Sequence, residues 1–315
     1  MNRYLIKFSY LGTQYRGVQK NTIANININI YDPDTIQGVL ESAFSTLNPK
    51  CITFPKIACS SRTDVGVHSF YNLGHIDLQN AYNSFYNPNE VLKYVNQYLI
   101  NCKHDIRLLE FIPVKNDFRV RRLVKRRTYL YRFMRPKDND NYKIPIMELR
   151  HCFHFRSDTF DPEKLKQATK LFMGLKDFRT FSAKSHSKRE ILYRRELNSL
   201  YLEKGTAFTP YDSLSQNFDF WNITCSAPSF LYKQVRRIVS CLLGISCGLI
   251  TEKDVITMLQ VPGHHNFLSC IPLVPPFGLY LANIEYHQEY LDKFIIKYKI
   301  SPDDNSVIPL DENKI

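Results

Sequence analysis

No apolar run in this chain reaches the ~20 residues needed to cross a bilayer. The longest candidate, Ile238 to Ile250, is interrupted by Gly244, Ser246 and Gly248, so a soluble protein with no membrane partner is expected. The eight cysteines (Cys51, Cys59, Cys102, Cys152, Cys225, Cys241, Cys247 and Cys270) form no C-x-x-C pair. With no small secreted scaffold around them, they read as reduced, mostly buried thiols of an intracellular protein. Metal ligands are sparse too. The densest groupings, His151-Cys152-Phe153-His154 and His264-His265, have no zinc-type second half, and on a strand His151 and Cys152 point to opposite faces. Neither a G-x-S-x-G elbow nor a phosphate-cradling glycine loop occurs. Met1-Asn2-Arg3 runs straight into the strand-like Tyr4-Leu5-Ile6-Lys7-Phe8, which leaves no room for a secretory segment or a long Arg/Ser-rich presequence. Nothing in this stretch supports import into an organelle.

What is present is a 315-residue chain with 44% hydrophobic residues and a net charge of +12. That length suits one large domain or two ordinary ones, with a substantial core. Surplus positive charge on a folded protein attracts polyanions, and here it is concentrated. Residues 119–137, RVRRLVKRRTYLYRFMRPK, hold nine basic residues and no acid. A solvated basic face would have the same composition. The interleaved Tyr129, Tyr131 and Phe133 favour nucleic acid, because cations hold phosphates while rings accept stacked bases. A DNA-binding module is disfavoured, since no helix-turn-helix or zinc pattern is visible.

Along the chain, residues 3–10 read as a strand and LGTQYRG as a turn. The Asn-rich NTIANININIYDPD (21–34) reads as a surface loop or hairpin. A helix is expected from Thr35 to Leu47 with Asp34 as its cap, and another opens at Pro88-Asn89. Strands are expected at 70–78, 105–114 and 126–134. The polar, Pro-flanked residues 135–145 suit a crossover, so that 1–134 forms one half and 146–290 a second, with a polar tail over 291–315 whose end, 301–315, is expected to be mobile. In the second half Asp161-Pro162-Glu163 starts a helix that Gly174 can end, and Thr251 with Asp254 caps a short one. The longest helical pattern spans 229–245, with Leu231, Val235, Ile238 and Leu242 in register. Many strands with fewer helices give an α+β protein, with helices on one face of largely antiparallel sheet.

Three constellations could carry chemistry. In SSRTDVGVHSF (60–70), Arg62, Asp64 and His68 share a loop whose Gly66 permits a tight turn. A carboxylate beside a guanidinium stays charged, as a nucleophile or base requires. Asp64 could equally be a turn residue capping local N–H groups. On the basic strip, strand alternation puts Arg127, Tyr129, Tyr131 and Phe133 on one face, so Tyr129 is either a stacking platform or core. On the long helix, Arg236 lies at the margin of the apolar stripe while Lys233 and Arg237 share the exposed face. A guanidinium in that position either meets an acid or snorkels over apolar surface.

Taken in order, these segments resemble the TruA family of tRNA pseudouridine synthases over nearly the whole chain. FSYLGTQYRGVQ (8–19) is similar to the family's opening strand and turn, TIQGVLESAF (35–44) to its first helix, and SRTDVGVH (61–68) to its R-T-D-x-G-V-H catalytic motif. DFRVR with RRTYLYRF, DFRTFS (177–182), SFLYKQVRRIV (229–239) and PPFGLYLANIEY (275–286) complete the set. The resemblance implies two similar α+β halves around a basic cleft, a homodimer, and no metal or organic cofactor. It implies that Asp64 is the catalytic aspartate, Arg62 its motif partner, Tyr129 the ring on the target uracil and Arg236 the aspartate's arginine. Lys125, Arg126, Arg127, Lys233, Arg237 and His68 are then expected to contact RNA. The implied substrate is tRNA, in the anticodon stem-loop region, in cytoplasm or mitochondrion. A non-catalytic RNA-binding or ribosome-assembly protein on the same fold is the alternative. Ser61, Val18, Leu11-Gly12 and Arg237 depart from common family residues without touching Asp64, Tyr129 or Arg236.

Overall fold

Alternation in the first ten residues decides the first sheet. The strand β1 (Asn2–Tyr10) puts Tyr4, Ile6, Phe8 and Tyr10 on one face, all buried, while Arg3 and Lys7 lie on the other. It pairs antiparallel with β3 (His68–Leu78) and β4 (Ile106–Val114), and β2 (Lys56–Cys59) pairs antiparallel with β3. Charge follows the register. Arg3 faces Asp77 and makes a two-pronged ion pair with it at 2.6 and 2.7 Å, and Lys7 faces Glu110 at 2.9 Å. The structure, a computed structural model, describes residues 1–20, 32–122, 124–184, 190–302 and 306–310. Most of the Asn-rich stretch expected as a loop, residues 21–31, lies outside them.

Two helices cover the apolar face of this sheet. The first, α1 (Ile36–Ser45), is capped by Thr35, whose Oγ1 accepts the Gly38 N–H at 3.2 Å. The cap is therefore Thr35 and not Asp34, because the chain turns helical one residue later than its composition suggests. The second, α2 (Pro88–Asn101), has Asn87 as cap, proline in its first turn and Glu90 beside the positive end of its dipole. Ile36, Val39, Leu40 and Phe44 from α1 and Val91, Val95 and Leu99 from α2 form one core with Tyr4, Ile6 and Phe8. The Tyr4 and Phe111 rings stack at 4.3 Å.

The chain divides into two compact units, Met1–Lys125 with Asn283–Ile315, and Arg126–Ala282. In the second, β5 (Val124–Pro136) runs antiparallel to β10 (Phe218–Ala227), which pairs with β9 (Ser199–Lys204). Before those lie β6 (Phe153–His154), parallel to β5, then α3 (Pro162–Thr169), and the antiparallel pair β7 (Gly174–Asp177) and β8 (Arg194–Leu197). Asp161 caps α3 by accepting from Glu163 and Lys164 N–H, as expected. After β10 come α4 (Gln234–Ser246), α5 (Glu252–Gln260) and β11 (Leu279–Tyr286). Thr251 and Asp254 form the expected capping box of α5. The architecture is α+β with largely antiparallel pairing, as expected.

Two expectations are corrected, the start of α4 and the burial of the thiols. The helix α4 begins at Gln234, so Leu231 and Lys233 precede it. Lys233 has φ +61°, outside the right-handed helical region, and the Gln234 side chain accepts the Leu231 N–H at 2.8 Å. Towards the C-terminus lie α6 (Gln288–Phe294) and a pair of short strands, β12 (Tyr298–Ile300) and β13 (Val307–Pro309), the last within the segment 301–315. Backbone bonds Lys115 N to Phe294 O and Ile296 N to Pro113 O tie the end of α6 to the end of β4. All eight thiols are free, but only Cys59, Cys152, Cys225 and Cys241 are buried, and Cys102 and Cys270 are exposed. No helix among the described residues is long and apolar enough to cross a membrane.

Candidate functional site

The first unit carries the Asp64 loop, which antiparallel pairing places. Tyr10 lies opposite Ser69, so the chain leaving β1 runs beside the chain entering β3. That juxtaposition pegs the loop at several points. Gly12 N–H donates to His68 Nδ1 at 3.0 Å, Val18 N–H to Thr63 O at 3.3 Å, and Asn72 Nδ2 to Ser61 O at 3.2 Å, while Tyr10 Oη and Thr63 Oγ1 share a bond at 2.9 Å. Ser61, Thr63, Val67 and His68 are buried as a result; Arg62 and Val65 are exposed, and Asp64 is half-buried.

Asp64 opens a β-turn. Its backbone carbonyl accepts the Val67 N–H at 3.2 Å, and Gly66, in the third position, has φ +77°. That is the position where a type II turn demands glycine.

His68, expected to contact RNA, is fully buried and receives the Gly12 N–H. It stands at the first residue of β3, where its ring packs inside the protein. Arg62 has Arg121 as its charged neighbour, and burial together with that like charge lowers its pKa. Arg121 Nε in turn donates to Cys59 O at 2.9 Å. Two guanidinium groups therefore flank the loop, an arrangement suited to anions. The adjacent Cys59 thiol is pushed up to about 12 by burial, so it holds its proton and offers no nucleophile. Lys125 is exposed at the unit's end.

The second unit carries Tyr129, Arg126, Arg127, Lys233, Arg236 and Arg237. Tyr129 lies opposite Cys225 on β10 and keeps 7% of its surface exposed. The Phe230 ring stands edge-on to it, with centroids 5.1 Å apart and planes at 88°, which fixes the tyrosine plane. Arg127 donates to Pro228 O, joining the start of β5 to the end of β10.

At the N-terminal end of α4, Arg236 is 8% exposed and its Nε donates to Val274 O at 2.8 Å. It is buried outright, not marginal. Arg237 is not on an exposed face either. Its Nη1 donates to Thr180 O at 2.6 Å and Ser182 O at 2.8 Å, and its guanidinium stands 4.7 Å from the Phe267 ring centre. Segments packed against α4, at Thr180, Ser182 and Val274, give both arginines carbonyl partners that the apolar stripe does not predict. Lys233, partly buried, sits 5.0 Å from the Tyr232 ring centre. The first turn of α4 holds no acid, so two guanidinium groups add to the positive end of the helix dipole. Such an end calls for a negative group.

Sequence reasoning missed Arg121 as the neighbour of Arg62, and it missed the pegs at Gly12, Tyr10 and Asn72. Gly12 in LGTQYRG was the one available signal, since a lone glycine after a strand marks close approach. No cluster of three or more His, Cys, Asp or Glu side chains suited to a metal occurs among the described residues.

Against known proteins, the family model described as tRNA pseudouridine synthase matches residues 168–287. The chain is similar to tRNA pseudouridine synthase-like 1 of Xenopus laevis, with 30% identity over 93% of this chain and 94% of the relative. It is similar at 30% to the protein of that name from Homo sapiens, over 90% of each chain. Similarity to tRNA pseudouridine synthase A 2 of Bacillus cereus is 29%, over 91% of this chain and 100% of the relative.

Proposed function

The chain belongs to the TruA family of tRNA pseudouridine synthases, an isomerase family, and from that premise we propose that Asp64 is the residue through which it isomerises uridine in tRNA. The supporting observation is the loop itself: a half-buried carboxylate on a turn whose flanks are held by buried hydrogen bonds from β1, β3 and the chain after β1. A group held that firmly meets its reacting atom without further ordering cost.

The reaction breaks the bond from N1 to C1′, turns the uracil and forms the bond from C5 to C1′. C5 loses its proton and N1 gains one, so all other atoms of the substrate are retained. Asp64 acts at the ribose, by attack on C1′ or by removal of the C2′ proton. The uridine leaves its stack to be reached, and Tyr129 supplies a replacement surface. Arg236 takes the place of the family's active-site arginine, and Arg62 is the motif partner of Asp64. Lys125, Arg126 and Arg127 hold phosphates. The target lies in the anticodon stem-loop region, and the working form is a homodimer.

The test follows tritium released from 5-tritiated uridine in transcribed tRNA. Asp64→Asn should lower release by roughly 10²–10⁴-fold or more with tRNA binding retained. Equal release by variant and wild type would remove Asp64 from the chemistry. No release by the wild type from any RNA in a total pool would favour a binding protein on the same fold.

A further inference from the structure

The positive groups of the second unit do not all sit beside Tyr129 and Arg236. The segment 179–184 and the turn after α5 enclose an open depression of ≈ 600 Å³, lined by Arg179, Lys184, Arg237, His264 and His265. That volume falls within the range of ordinary ligand pockets, roughly 300–1,000 Å³. Three cations and two imidazoles line it, and no carboxylate does. One acid stands nearby: Asp177 Oδ2 lies 3.8 Å from Arg179 Nη2. That pair is long and its guanidinium is exposed, so it neutralises little of the cluster.

The walls are built to keep this shape. Thr180 Oγ1 donates to Met258 O at 2.9 Å and accepts the Gly263 N–H at 3.0 Å. His264 Nδ1 lies 3.0 Å from Ser182 O, which can only accept, so Nδ1 carries the proton. In the neutral ring Nε2 then accepts from Tyr193 Oη at 3.1 Å. Arg237 clasps the Thr180 and Ser182 carbonyls through Nη1 alone, leaving Nε and Nη2 for another acceptor. Arg179 and Lys184, both exposed, are not committed to holding the backbone in this way. One held guanidinium, Arg237, with the two exposed cations Arg179 and Lys184 around an open depression, suits an anion.

We propose that this depression is a second anchoring site, which takes a backbone phosphodiester of the RNA substrate at a nucleotide other than the one isomerised. It rests on the reading that the substrate is RNA. Its role is to fix the RNA's register through phosphate contacts, which position without reading sequence.

The experiment measures tRNA affinity of the full chain by filter binding from about 50 to about 200 mM salt. Wild type is compared with Arg179→Gln/Lys184→Gln and with Lys164→Gln/Lys253→Gln, which removes the same charge from exposed helix positions of the same unit. Unfolding midpoints confirm that the variants fold. The first double variant should flatten the plot of log affinity against log salt by about 0.7–0.9, one phosphate contact, and the second should not. Parallel lines for all three proteins, or equal flattening by both variants, would overturn the site. So would a polyglutamate competitor that loses binding to the first variant while tRNA does not. Tritium release by the wild type is scored separately. If it fails while the slopes differ, the isomerase reading falls and the phosphate site stands. If no protein binds RNA, both fall.

Discussion

Gly12 and Val67 are in backbone contact across the Asp64 loop. A Cβ built on Gly12 would fall 2.0 Å from the Val67 carbonyl oxygen, and the Gly12 N–H donates to His68 Nδ1 at 3.0 Å. Gly12→Ala cannot be accommodated without moving the strand entry that carries Asp64. Forced overpacking of this kind costs about 1–3 kcal/mol. A lower urea midpoint and a larger loss in tritium release than the stability change explains are expected. Wild-type activity in Gly12→Ala would show that the loop's position is not critical.

Tyr129 is held edge-on by Phe230, so its contribution should come from the ring and not the hydroxyl. Tyr129→Phe is expected to retain kcat/KM within a few fold. Tyr129→Leu should lose about 1–3 kcal/mol of stacking, a ~5- to 150-fold drop in kcat/KM. Equal losses in the two variants would assign the work to the hydroxyl instead.

His75 gives stability a pH dependence. Burial, with Arg3 and Arg121 adding to it, lowers its pKa from 6.5 to about 4, and its Nδ1 accepts the Val120 N–H. Above pH 6.5 the ring is mostly neutral in both folded and unfolded chains, so it makes little difference. Between 6.5 and 4 the unfolded chain takes up a proton that the folded chain refuses. Stability should therefore fall as pH drops through that window and level off below it. Urea midpoints of wild type and His75→Gln, measured from about pH 7 to about pH 4.5, should differ by an amount that changes with pH. A constant difference would contradict the assignment.

Arg132 and Glu148 form a buried ion pair at 3.0 Å, with side chains 6% and 0% exposed. Glu148 also accepts the Phe208 N–H at 2.6 Å, and Arg132 donates to Thr206 O at 2.9 Å. Glu148→Gln leaves the guanidinium buried without its counter-charge, and a loss of about 3–5 kcal/mol is expected. Chemical denaturation measures it. A change under about 1 kcal/mol would mean that the carbonyls around Arg132 suffice.

The sequence determined whatever depends on near neighbours. Alternation in Tyr4, Ile6 and Phe8 set the buried face of β1, and Pro88-Asn89, Asp161-Pro162 and Thr251 with Asp254 marked three helix starts. Those signals act over two to four residues, the reach of a strand's period or a helix's first turn. The Asp64 turn was legible for the same reason, through Gly66. Tertiary structure alone decided the rest. That Gly12 closes on Val67 and His68 depends on the register of β1 against β3 across more than fifty intervening residues. The N-terminal end of α4 was misjudged because the Leu231 N–H bond to the Gln234 side chain, and not apolar periodicity, sets where the helix begins. Arg237 becomes the clasp of Thr180 and Ser182 because residues 180–182 pack against that end of α4, a contact no local pattern encodes. Composition predicted positive charge for an RNA. Only packing determined which of those cations hold the protein together and which remain available to a phosphate.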